Sequence, residues 1–141
     1  MNVIADTGFI VAHNNIRDAR HRECLVAYQN YTGAIAVPQS VLAEVGYLLR
    51  QARGNRQVAN FLRQLPRSKY EVIALEPEDL ARTADILDQY HDSRLDFVDA
   101  SIVAVAERLN ITRILTLDQR DFGMVRPRHA THFELLPEPE A

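Results

Sequence analysis

The sequence predicts an α/β fold, with a mainly parallel sheet covered on both faces by helices. Three observations predict it. Short apolar segments alternate along the chain with longer segments of helical periodicity. The short segments are continuous apolar runs rather than alternating apolar and polar residues, which is how strands read when both faces are covered. No repeat, linker or low-complexity segment divides the 141 residues. A chain near this length buries roughly 68–70% of its unfolded surface, so one domain, residues 1–141, is expected without disulfides or a structural metal.

The elements follow in order. Val3-Ile4-Ala5 is a short apolar strand, and Asp18 to Tyr31 reads as a helix with Asp18 at its N-cap. Ala34 to Val37 is a second strand, stopped by Pro38. Gln39 to Ala52 is helical, with Val41, Leu42, Val45, Leu48 and Leu49 on one face. Gly54 punctuates, and Val58, Phe61, Leu62 and Leu65 make another helical stripe that Pro66 ends. Val72 to Leu75 is a third strand. Pro77 stands at a first-turn position and opens a helix through Leu80, Ala84, Leu87 and Tyr90. Val98 to Leu109 is apolar on most sides and so reads as a buried helix. Ile114 to Leu117 is a fourth strand and Phe133 to Leu136 a fifth. The acidic tail Pro137 to Ala141 is expected to fray.

Composition narrows the function classes. Hydrophobic residues make up 47% and charged residues 25%, a soluble globular balance. No apolar run approaches the ~20 residues of a membrane span. The N-terminus enters an apolar strand with no basic region before it, unlike a signal peptide. Cys24 is the only cysteine, which excludes an internal disulfide and a cysteine-based zinc cluster and suits a reducing cytoplasm. The net charge of −3 argues against binding nucleic acid by bulk charge. It leaves room for a nucleic-acid enzyme whose acids gather around metal. Fifteen Arg stand against one Lys, Lys69; this suits bidentate phosphate contacts and equally follows from GC-rich coding.

The tripeptide Asp6-Thr7-Gly8 supports two chemistries. It is the active-site triplet of dimeric aspartic proteases, and it is also an acid at the end of a parallel strand, where open α/β sheets bind ligands. The first requires a mostly β chain with many turns, and this chain is mostly helical. Asp118 follows the fourth strand as Asp6 follows the first. Either acid alone reads equally as a helix cap. Glu44 lies on the shoulder of an apolar helical stripe. Asp99 lies inside one, on the face of Ile102, Val103 and Ala106. Acids are rarely buried unless paired, metal-bound or serving free N–H groups. Asp96 reads as the N-cap of the Asp99 helix, with a supporting place in a site as the alternative, and Asp121 belongs to the turn after Asp118. If Asp6, Glu44, Asp99 and Asp118 converge, two charges ~4 Å apart repel by about 4 kcal/mol at an effective dielectric near 20. Such a cup needs protons or a cation, and all-oxygen donors favour Mg²⁺, with Mn²⁺ as a substitute.

These residues, in this order, resemble the PIN-domain ribonucleases, and within them the VapC toxins of bacterial toxin–antitoxin pairs. "IADTGFIVA" resembles the opening strand with its first acid, and "VPQSVLAEVGYLL" the second motif with Glu44. "FVDASIVAVAERL" resembles the third motif with Asp99, and "RILTLDQRDF" the fourth, with Asp118 after Thr116. The likeness runs on through "RP" at 126–127 and the closing "FELLP". Gly8 stands where members often carry Ser, which leaves Thr7 to supply a hydroxyl beside Asp6. The resemblance implies a three-layer α/β/α sandwich and a Mg²⁺-dependent endoribonuclease. Asp6, Glu44, Asp99 and Asp118 are its catalytic and metal-binding acids, and Thr7, Asp96, Thr116 and Asp121 are candidates for supporting places. It also implies a homodimer and a cognate antitoxin. The substrate is a structured RNA, either tRNA or the sarcin–ricin loop of ribosomal RNA, and the fourth motif and closing segment look most like the loop cutters. Arg94, Arg120 and Arg126 neighbour the third and fourth motifs and are candidate RNA contacts.

The five histidines, His13, His21, His91, His129 and His132, show no metal-ligand spacing. Leu25, Tyr28, Tyr47 and Leu48 are either core or the lining of a groove near Glu44 for an antitoxin helix. The rival readings are a PIN-like scaffold without catalysis and the aspartic protease.

Overall fold

The computed structural model describes residues 1–138. Five strands form one sheet: β1 Val3–Ala5, β2 Ile35–Pro38, β3 Tyr70–Ile73, β4 Arg113–Leu115 and β5 Glu134–Leu136. Their order is β3-β2-β1-β4-β5 and every pairing is parallel. The predicted α/β/α sandwich is therefore observed. β1, wholly buried, lies at the centre, and the chain winds to one side through β2 and β3 and to the other through β4 and β5. The order reverses beside β1, and its carboxyl end is where such sheets open a crevice.

Seven helices cover the sheet: α1 Thr7–Asn14, α2 His21–Asn30, α3 Gln39–Arg53, α4 Asn55–Gln64, α5 Pro77–Gln89, α6 Phe97–Leu109 and α7 Gln119–Met124. The sequence pattern marks all but α1 and α7. α1 follows β1 after one residue and buries Phe9, Ile10 and Ala12 completely, so its sequence reads as more strand. α7 has six residues, too few to show a helical period.

Three expectations shift. α2 begins at His21, because Asp18 accepts from the Arg20 N–H at 2.8 Å in the turn ahead of it. β3 begins two residues early, since Ile35 already bonds to the Lys69 carbonyl at 2.7 Å and Tyr70 is the buried residue that pairs with Ile35. The tail does not loosen at Pro137, whose carbonyl accepts from Gln119 Nε2 at 2.6 Å; the rest of the predicted frayed end, residues 139–141, lies outside the described residues.

α6 is buried from Ala100 to Ala106, as its all-round apolar sequence predicts. It is fastened to α5 by ion pairs. Arg82 Nε lies 2.7 Å from Glu107, and Arg108 Nε lies 2.9 Å from Asp79, which is 1% exposed. Asp79 also accepts from the Glu76 N–H at 2.9 Å, closing the first turn of α5. Asp79→Ala removes the acceptor of the Glu76 N–H and the closest partner of Arg108, which keeps only longer contacts to Glu78 and the Ala74 carbonyl, and it is expected to lower unfolding free energy by about 2 kcal/mol, read as a lower urea midpoint at unchanged slope.

Candidate active site

Asp6 leaves the central strand at its carboxyl end and caps α1, accepting from the Phe9 N–H at 3.1 Å. Its second oxygen accepts from the Thr116 hydroxyl. That hydroxyl in turn accepts from the Asp118 N–H at 2.8 Å. Thr116 therefore joins the ends of two neighbouring strands and fixes Asp6 and Asp118 relative to one another. Asp118 caps α7 through the Asp121 N–H at 3.3 Å. Asp96 and Asp99 cap α6 reciprocally: Asp99 N–H donates to Asp96 at 2.9 Å, and Asp96 N–H to Asp99 at 3.3 Å. The choice between cap and site acid dissolves here. A carboxylate that caps a helix starting at the sheet's carboxyl edge also faces the crevice.

These acids meet Glu44 of α3 around one cleft of about 560 Å³, lined by Asp6, Glu44, Asp96, Asp99, Asp118 and Asp121 with Thr7, Gly8, Arg94 and Leu117. α3 is brought to α6 by contact between the Ser40 and Ser101 hydroxyls at 2.6 Å, one turn from Glu44. Sequence reasoning missed this pair; its trace is a small hydroxyl residue within each stripe.

The electrostatics are those of crowded acids. Burial pushes the Asp6 carboxyl up from 3.8 to about 6, against the hydrogen bonds from Thr116 and Phe9 and with help from the charges of Asp118 and Glu44. Burial, then the charge of Asp96, lifts Asp99 to about 7. Asp118 is raised as well, first by burial. The Thr7 hydroxyl is buried without a hydrogen-bond partner. Thr116, not Thr7, therefore orients Asp6.

The donor set fits a hard divalent cation: only oxygens, and a surplus of negative charge that burial makes costly. Among the described residues no three of these side chains converge tightly enough to cage an ion by themselves.

Not every expected residue reaches the cleft. Arg94 lines it, 3.9 Å from Asp121. Arg120 lines an adjoining hollow. Arg126 is turned away, donating to the Gly123 carbonyl at 2.9 Å at the end of α7. Tyr28 is no part of a groove by Glu44. It stacks on His13 at 4.1 Å between ring centroids, and its hydroxyl accepts from the Lys69 N–H. Tyr47 and Leu48 are exposed on α3. His13 bonds Tyr70, His21 the Ala12 carbonyl and His129 the Ile111 carbonyl. Asp6-Thr7-Gly8 joins a parallel strand to a helix, which removes the β-rich protease reading.

Comparison with known proteins places the chain in a family. The PIN domain model matches residues 3–126. The chain is 28% identical over 135 residues to Ribonuclease VapC26 of Mycobacterium tuberculosis, covering 96% of this chain and all of that protein. Among solved structures, the sarcin–ricin loop cleaving toxin VapC20 of Mycobacterium tuberculosis aligns with a TM-score of 0.78 at 21% identity, over 84% of this chain and 92% of that one. A toxin–antitoxin complex from Klebsiella pneumoniae aligns with a TM-score of 0.68 at 18% identity, over 88% and 92%. At these identities the structures speak for the fold. The matched family model extends from the central strand past the last acid of the cleft, and this chain belongs to the PIN-domain family, with its likeness running to the VapC ribonucleases.

Proposed function

We propose that this chain is a Mg²⁺-dependent endoribonuclease acting as the toxin of a toxin–antitoxin pair. The observation that carries this reading is the convergence of Asp6, Glu44, Asp99 and Asp118 on one cleft at the carboxyl edge of the sheet. Asp6, Asp99, Glu44 and Asp118 are the residues that would hold the ion, with Mn²⁺ as a substitute. The chemistry such an ion supplies is a more acidic water and compensation of the charge developing on a phosphodiester.

The chain's own residues supply position and proton transfer. Thr116 and the Phe9 N–H hold Asp6 still, one on each oxygen. Asp99 presents its carboxylate to the cleft from the start of α6, where the Asp96 N–H holds it, and a cleft carboxylate that the ion does not engage would accept the proton of the attacking water. Asp118 and Glu44 close the cleft from α7 and α3.

The substrate we propose is a structured RNA presenting an unpaired loop. A protein of net charge −3 must find its phosphate contacts locally, and Arg94 and Arg120 provide them. The activity of VapC20 makes the sarcin–ricin loop the first RNA to test. An antitoxin would cover the cleft over the exposed Tyr47 and Leu48, one turn beyond Glu44, and a basic side chain on it would enter the acids.

Asp6→Asn and Asp99→Asn keep side-chain shape and remove charge. Each is expected to fold, by circular dichroism, and to lower cleavage of a sarcin–ricin stem-loop at least 100-fold, the low end for removing a catalytic acid or base. Wild-type rates in Asp99→Asn would refute the assignment. Raised carboxyl values also set a pH dependence. Between about 4 and 7 the native state holds more protons on Asp6 and Asp99 than the unfolded chain, so metal-free protein loses stability as pH rises. In chelator, its melting temperature should fall from pH 5 to pH 8, and saturating Mg²⁺ should flatten that fall. Stabilisation of about 2.7 kcal/mol is expected at a hundredfold excess over Kd.

A further inference from the structure

The acid cleft is electrostatically one-sided. Of the residues that line it, six are carboxylates and one is basic, Arg94. On that side the cleft passes into a second hollow of about 340 Å³ lined by Ser93, Arg94, Arg120, Asp121 and Met124, so Arg94 and Asp121 border both. An RNA strand crossing the cleft meets a cationic side chain only on this side, where Arg94 offsets the charge of Asp121.

The two arginines are available for a ligand. Arg94 is 78% exposed and approaches the nearly buried Asp121 only to 3.9 Å, a long contact that leaves guanidinium N–H groups facing solvent and open to a phosphate. Arg120 is exposed and, among the described residues, makes no hydrogen bond or ion pair. Their bases are held firmly all the same. Ser93 Oγ donates to the Tyr90 carbonyl at 2.6 Å and accepts from the Leu95 N–H at 3.2 Å, which fixes the loop that carries Arg94. Met124, 37% exposed, adds a polarisable apolar wall that suits a ribose or base face.

We infer that this second hollow is a subsite for the nucleotide next to the scissile phosphate. Arg94 and Arg120 clamp its phosphodiester and Met124 packs against its sugar or base. The inference rests on the ribonuclease reading and sharpens it: the strand runs out of the cleft toward α7, and not over α3. Recognition here is of backbone and of an unstacked nucleotide, so it positions the RNA without reading its sequence.

The test pairs protein variants with RNA in which single linkages are made neutral. A sarcin–ricin stem-loop, and in parallel tRNA, is cut by wild-type protein with Mg²⁺ to locate the cleavage site. Methylphosphonate linkages are then placed one at a time on either side of it. One neighbouring linkage, on one side only, should raise KM about tenfold when neutralised. Combined Arg94→Gln and Arg120→Gln should reproduce that rise on the natural RNA and add less than twofold on the neutralised one. The double variant should also lower the salt slope of binding by about one. Additive losses at every linkage, or variants that keep wild-type KM and salt slope, overturn the subsite and leave the nuclease standing. If wild-type protein cuts neither RNA, the ribonuclease reading falls and the subsite falls with it.

Discussion

The hydrogen bond from Thr116 to Asp6 is the contact on which the rest of the site depends. Asp6 is 6% exposed at the end of the central strand, where an unpaired carboxylate is costly. The Thr116 hydroxyl and the Phe9 N–H make that burial tolerable. The same hydroxyl receives the Asp118 N–H. One threonine therefore positions Asp6 and Asp118 relative to one another. A sheet that winds outward in both directions from β1 brings the ends of β1 and β4 together at the point where its order reverses.

Apart from Glu44, which projects from within α3, the principal acids arrive by the same device. Each of Asp6, Asp96, Asp99 and Asp118 accepts a backbone N–H in the first turn of a helix that begins at the carboxyl edge of the sheet. Capping is local and stabilises each helix. Several helices starting at one edge place several caps around one hollow, so the fold concentrates negative charge while satisfying each helix separately. The cost appears in the carboxyls of Asp6, Asp99 and Asp118, all raised. A cation relieves that cost, which ties stability to the proposed chemistry.

Much of this was legible in the sequence. β1 and β2 are visible as unbroken apolar runs, while β3, β4 and β5 take in Glu71, Arg113 and Glu134, so their bounds are less legible. Asp99 stood out because an acid inside the stripe Ile102, Val103 and Ala106 has few reasons to be there. Asp96 was correctly read as the N-cap of α6. The helices α1 and α7 are not legible, because α1 is an eight-residue apolar segment that continues the run of β1 after one residue and α7 spans less than two turns. Nor were the partners of side chains whose roles depend on distant residues. Thr7 stands next to Asp6 in sequence, yet Thr116, 110 residues away, is the one that binds it. Arg126 shares a motif neighbourhood with Arg120 but folds back onto its own helix end. Tyr28 has groove-like spacing but is held by His13 and Lys69. Periodicity reports which face is apolar; it carries no information on which long-range partner a polar atom finds.

Burial and mutual repulsion raise these carboxyls, and in the proposed function a cation would join them and release their protons. Carbon-detected NMR of aspartate side-chain carboxyls, titrated in chelator and again in Mg²⁺, tests it directly, with Asp6→Asn and Asp99→Asn supplying the assignments. The account predicts two carboxyls that titrate near 6 and near 7 without metal and move to lower pH when Mg²⁺ is added. Carboxyls that all titrate close to 4 and ignore Mg²⁺ would contradict it.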